Sequence, residues 1–94
     1  MSDLRTYHFY FEGRVQGVGF RFTARYLANK HNVKGWVMNL ADGRVELLAQ
    51  GKKDDLDNFL KDLQGEFKGY IANFNLEEMP SSQICQDFHI KFCF

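Results

Sequence analysis

Residues 6–12 read Thr-Tyr-His-Phe-Tyr-Phe-Glu, with Tyr7, Phe9 and Phe11 on one side of the chain and His8, Tyr10 and Glu12 on the other. A period of two in an aromatic-rich run predicts a strand with one apolar face. Directly after it come Gly13, Gly17 and Gly19, and then Phe20, Ala24, Leu27 and Ala28 at helical spacing. The spacing predicts a helix over 18–32, ended by Asn32, with Arg25, Asn29 and Lys30 on its other faces. A half-apolar strand that passes through so short a glycine-rich loop into an amphipathic helix must share one core with it.

The rest of the chain repeats the theme. Residues 35–39, Gly-Trp-Val-Met-Asn, form a short strand, and Asp42-Gly43 is a hairpin signal leading into a second strand over 44–50, where Val45, Leu47 and Ala49 share a side. Leu56, Phe59, Leu60 and Leu63 mark a second amphipathic helix that Gly65 is placed to terminate. Alternation returns over 70–76 and again over 88–94, where Phe88, Ile90, Phe92 and Phe94 line one face. The order βαββαβ, with a short further strand, predicts an α+β, ferredoxin-like α/β sandwich: an antiparallel sheet with two helices on one face. Trp36 and the phenylalanines are expected in its core. At 94 residues and 45% hydrophobic content, with 10 Phe, 4 Tyr and 1 Trp, the chain is read as one domain, 1–94, that needs no metal or disulfide staple.

The chemistry concentrates in Gly13-Arg-Val-Gln-Gly-Val-Gly-Phe-Arg21. Successive amides in a glycine-shaped turn converge on an anion, and the free amides of a helix's first turn add donors with a favourable dipole. Arg21 falls in that first turn, where a cation is unfavourable unless an anion sits at the same end. Neither common nucleotide loop is present: GxxxxGK[ST] lacks its Lys-Ser/Thr pair, and GxGxxG fails because Phe22 stands where the third glycine belongs. Taken alone, the loop reads either as a plain glycine turn or as an anion site. Asn39, at a strand end, reads alone as a turn former.

Gly13-Arg-Val-Gln-Gly-Val-Gly-Phe-Arg21, followed by Gly35-Trp-Val-Met-Asn39 and Asp42-Gly-Arg-Val-Glu46, resembles the acylphosphatase family in motif order and spacing over about residues 7–64. Phe88-His-Ile-Lys-Phe92 is similar to the family's last strand. The resemblance implies that loop 15–20 (Val15, Gln16, Gly17, Val18, Gly19 and Phe20) holds phosphate through its amides. It also implies that Arg21 binds the phosphoryl oxygens and that Asn39 positions the attacking water, Arg21 and Asn39 being the catalytic pair. The implied reaction is hydrolysis of a small-molecule acyl phosphate, with no metal, no cofactor and no covalent intermediate. The chemistry is consistent, because a carboxylate leaves readily, fixed amides and a guanidinium supply charge to the equatorial oxygens, and a neutral Asn amide aligns water without repelling a dianion.

Other residues are given plainer roles. Arg14 is expected to face solvent or an acidic neighbour, and Gln16 to contribute its backbone only. His8, His31 and His89 show no metal spacing and read as ordinary surface or satisfied histidines. The run Lys52-Lys53-Asp54-Asp55 reads as a solvated helix start, and Cys85 and Cys93 as a reduced pair. With 12 basic against 12 acidic residues, nucleic acid is not an expected partner, and no membrane segment is read. A cytoplasmic monomer is expected.

Two further readings fit the same fold. One is a non-catalytic domain that senses a phosphorylated or carboxylated ligand. The other is a single-stranded RNA binder stacking bases on rings such as Tyr10, against which stand the zero net charge and the lack of a KGFGF-type strand. The chain also resembles the module that begins larger hydrogenase-maturation carbamoyltransferases; its length, without zinc-finger cysteines, favours a free-standing enzyme.

Overall fold

A computed structural model describes residues 3–92. Its elements are β1 (Leu4–Gly13), α1 (Phe20–Lys30), β2 (Lys34–Asn39), β3 (Val45–Lys52), α2 (Lys53–Glu66), β4 (Ile71–Met79) and β5 (Phe88–Lys91). The five strands form one sheet in the order β4-β1-β3-β2-β5. Both helices cover one face, where Phe9 and Phe11 of β1, Val37 of β2 and Val45 and Leu47 of β3 meet Phe20, Ala24 and Leu27 of α1 and Leu56, Phe59 and Leu63 of α2. The ferredoxin-like arrangement read from the alternation is therefore the observed one.

One feature of the expected sheet is corrected. It is mixed rather than wholly antiparallel, because β5 pairs parallel with β2, Gly35 opposite Phe88 and Val37 opposite Ile90. The cause is the connection: β4 and β5 lie on opposite edges, so residues 80–87 cross the sheet instead of turning back as a hairpin. Gln50 fastens that crossover. Its Nε2 donates to Thr6 Oγ1 at 2.9 Å and to the Gln83 carbonyl at 2.8 Å, while its Oε1 accepts from the Cys85 amide at 2.7 Å. With only 2% exposure, a polar side chain of this size is tolerable because donor and acceptor are both satisfied.

Element ends follow local chemistry. The Val33 amide reaches the Ala28 carbonyl at 2.7 Å and the Asn32 amide the Asn29 carbonyl at 3.4 Å, with Asn32 at φ 58°. This is the paired closure of a helix by a left-handed residue, so α1 stops where Asn32 was expected to stop it. By contrast, α2 runs through Gly65 to Glu66. On β4, Glu12 faces Asn73 but Gly13 faces Ile71, so Ala72 is an extra residue. That bulge brings Ile71 as well as Phe74 onto the core and interrupts the simple alternation expected over 70–76.

The expectation that Trp36 and every phenylalanine are core needs correction too. Trp36 is half-buried on the open face, beside His8 and with Lys91 Nζ 4.3 Å from its ring centre. The reason is period two: Val37 takes the core side, so Trp36 must take the other. Phe22 and Phe92 are 61% and 64% exposed. Phe94 and Cys93 lie outside the described residues, among which Cys85 forms no disulfide.

Candidate active site

Because β1 and β2 each run antiparallel to β3, they point the same way, and so does β5. The ends of β1, β2 and β5 therefore meet at one rim, where the chain leaves β1 through loop 15–20 and enters α1. The loop is anchored on both flanks. The Arg14 amide donates to the Tyr70 carbonyl at 2.9 Å, and Val15 is fully buried beneath it. Gly13 has φ 121°, and a Cβ there would collide with the Tyr70 carbonyl and the Ala72 amide, so only glycine lets β1 approach β4 at this point. Phe20, at the start of α1, is wedged between Phe11 and Phe67, with ring centres 5.1 and 4.7 Å away.

Between those anchors the backbone is open. Gly19 occupies the N-cap of α1 in a left-handed conformation at φ 81°, with no side-chain cap and no acidic residue in the first turn. No backbone hydrogen bond to another part of the chain is made by the amides of Gln16, Gly17, Val18 or Gly19 among the described residues. The dipole of α1 places positive potential at its N-terminus, where this loop ends. Arg21 in the first turn is half-buried, has no carboxylate partner among the described residues, and lies with its guanidinium 5.4 Å from the centre of the Phe92 ring.

Asn39 is the last residue of β2, opposite Val45. Its Oδ1 is buried without a hydrogen-bond partner among the described residues. Such an acceptor is costly to leave unmet, by about 1–3 kcal/mol, and marks a place where a polar group is wanted. The turn that follows closes by the Leu40 amide on the Arg44 carbonyl at 2.8 Å and the Gly43 amide on the Leu40 carbonyl at 3.2 Å. Beside it, the Arg44 backbone amide and Nε donate to the Asp42 carboxylate at 3.1 and 2.8 Å, and these hydrogen bonds hold the Asp42 carboxyl below its ordinary value.

The structure brings loop 15–20, Arg21 and the end of β2 to one rim. Gln16, expected to act through its backbone alone, sends its side-chain amide across to the Leu40 and Arg44 carbonyls at 2.8 and 2.9 Å. No sequence signal announces that contact, since its partners are main-chain atoms far along the chain. Arg14 is exposed, as expected, and its guanidinium lies over the Tyr70 ring, 5.2 Å from its centre. The histidines are satisfied as expected: His8 pairs with Glu46 at 2.7 Å, His31 with Asp62 at 2.7 Å and His89 with Asp87 at 3.1 Å.

Fold and rim together define a ferredoxin-like sandwich with a glycine-shaped strand-to-helix loop set against a strand-end asparagine. The family model of acylphosphatases matches residues 7–90. An acylphosphatase of Bacillus velezensis is 53% identical over 87 residues, covering 92% of this chain and 97% of the relative. One of Treponema denticola is 46% identical over 91 residues, 96% of each chain. The crystal structure of the Bacillus subtilis acylphosphatase superposes with a TM-score of 0.86 at 35% identity, covering 93% of this chain and 98% of that one. The chain belongs to the acylphosphatase family.

Proposed function

We propose that this acylphosphatase cleaves the phosphorus–oxygen bond of a small-molecule acyl phosphate by direct attack of water, using loop 15–20 and Arg21 to hold the phosphate and Asn39 to place the water. The buried, unpartnered Oδ1 of Asn39 carries this reading, because it supplies an acceptor for a water hydrogen at the rim where the loop amides are free.

In the proposed step the water oxygen forms a bond to phosphorus as the bond to the acyl oxygen breaks, its electron pair leaving on the carboxylate. One water proton stays with the phosphate and the other goes to solvent. The leaving carboxylate needs little protonation, so a general acid is dispensable. Most of the rate enhancement comes from alignment and from charge on the equatorial oxygens meeting fixed amides and the Arg21 guanidinium, which need not reorganise during reaction. The reading requires no metal.

The site is proposed to work as a monomer, since loop, arginine and asparagine all come from one chain. A cytoplasmic location is proposed, in keeping with only two cysteines in 94 residues. No helix among the described residues is long and apolar enough to cross a membrane. Nucleic acid is not proposed as a partner, because the open-face rings of Tyr10 and Trp36 already carry Arg44 and Lys91, 4.6 and 4.3 Å from their centres.

Hydrolysis of benzoyl phosphate in heavy-oxygen water containing EDTA tests the reading. The label is expected in inorganic phosphate and absent from benzoate, at an undiminished rate. Label in benzoate, or activity abolished by the chelator, would contradict it.

A further inference from the structure

We infer that the Gln16 side chain is a positioning residue for the reaction, tying the phosphate loop to the turn behind Asn39 and so setting where the attacking water stands relative to phosphorus. This rests on the roles given above to loop 15–20 and Asn39, and adds what holds the two in register.

The two hydrogens of one Nε2 go to two carbonyls, Leu40 at 2.8 Å and Arg44 at 2.9 Å, across 24 and 28 residues of chain. Each of those carbonyls already has a main-chain donor within the turn: Gly43 N–H for Leu40 and Leu40 N–H for Arg44. The turn is therefore closed without Gln16, which takes only the second lone pair of each oxygen. What Gln16 adds is the connection. On its other side the loop is fixed by the Arg14 amide, by Val15 and by Phe20, but no other hydrogen bond among the described residues joins residues 15–20 to residues 39–44. The freedom left by Gly17 and Gly19, at φ 75° and 81°, would otherwise act directly on the gap between phosphate and water.

The residue type fits the task. Glutamine gives two donors from one atom with no charge; glutamate would turn acceptors toward two carbonyls and put an anion beside the phosphate, while asparagine is one methylene shorter. Since displacing reacting groups by about 1 Å can cost about a hundredfold in rate, a tether of this kind shows itself in kcat rather than in phosphate affinity.

The test uses Gln16→Met, which keeps length and removes both donors, together with Asn39→Ala and the double variant. With benzoyl phosphate, Gln16→Met is expected to lower kcat by about 10- to 100-fold, with KM and inhibition by inorganic phosphate held within about threefold. The double variant is expected to be no slower than Asn39→Ala, because the tether acts through Asn39. A wild-type kcat for Gln16→Met beside a slow Asn39→Ala would overturn the tether alone. Losses that multiply in the double variant, or phosphate binding that weakens in step with kcat, would overturn it in favour of a general structural role. A fast Asn39→Ala would instead overturn the assignment of Asn39 on which the tether depends.

Discussion

The role proposed for Asn39 sets stability against use within one side chain. Its buried Oδ1 has no partner among the described residues, so deleting it should relieve an unmet acceptor rather than break a contact. Asn39→Ala is expected to lose about 100- to 1,000-fold in kcat while its melting temperature stays equal to or above that of the wild type; a large loss of stability without loss of rate would reverse the assignment. The two arginines of the loop region separate in the same way. Arg21→Ala should lose about a thousandfold in kcat/KM, as removal of a charged donor to the phosphoryl oxygens does. Arg14→Ala should stay within about twofold, because its guanidinium lies on Tyr70. The glycine-shaped turn and the place of Arg21 at the start of a helix were legible from residue type; the roles proposed for them came from the family resemblance. The Gln16 contact was not, because glutamine in a loop carries no signal until the carbonyls it faces are known.

At the scale of elements, α1 and α2 are joined at the C-terminal end of α1 by His31 and Asp62, 2.7 Å apart. The hydrogen bond from His31, with the charges of His31, Lys30 and Lys61, holds the Asp62 carboxyl below its ordinary value of 3.8. A carboxyl depressed in the folded state stabilises fully above its unfolded value and loses that contribution as pH falls through the lower folded one. Thermal melts from about pH 5 to about pH 2.5 should therefore fall more steeply for the wild type than for Asp62→Asn; parallel curves would show that the pair contributes nothing. The crossover from β4 to β5 depends on Gln50 in another way. Gln50→Leu strands the Cys85 amide and the Gln83 carbonyl, and should cost about 2–3 kcal/mol in denaturant unfolding. Strands and helices were readable here from periodicity, since each buries one stripe. The parallel pairing of β5 was not, because direction is set by an eight-residue crossover (80–87) whose fastenings are side-chain bonds between distant positions.

For the whole molecule, the ferredoxin-like layout gathers the ends of β1, β2 and β5 at one rim, and this topology is why motifs separated in sequence meet. The order of periodic segments made that layout legible; the open face was harder, since alternation says which residues share a side but not that Trp36 takes the uncovered one. A site that binds phosphate only when folded must also stabilise the fold. Inorganic phosphate at about 100 times its dissociation constant should add about 2.7 kcal/mol, raising the melting temperature on the order of 10 °C in the wild type and not in Arg21→Ala. A shift of equal size in both would mean that phosphate is held elsewhere. The central claim is that a loop-bound phosphate and an asparagine-held water react without further chemistry from the protein. It is tested most directly by steady-state turnover of benzoyl phosphate in EDTA by the wild type, Arg21→Ala and Asn39→Ala. Full activity in the wild type, with KM and kcat both impaired by loss of Arg21 and kcat alone by loss of Asn39, is the predicted result; equal rates for all three would contradict it.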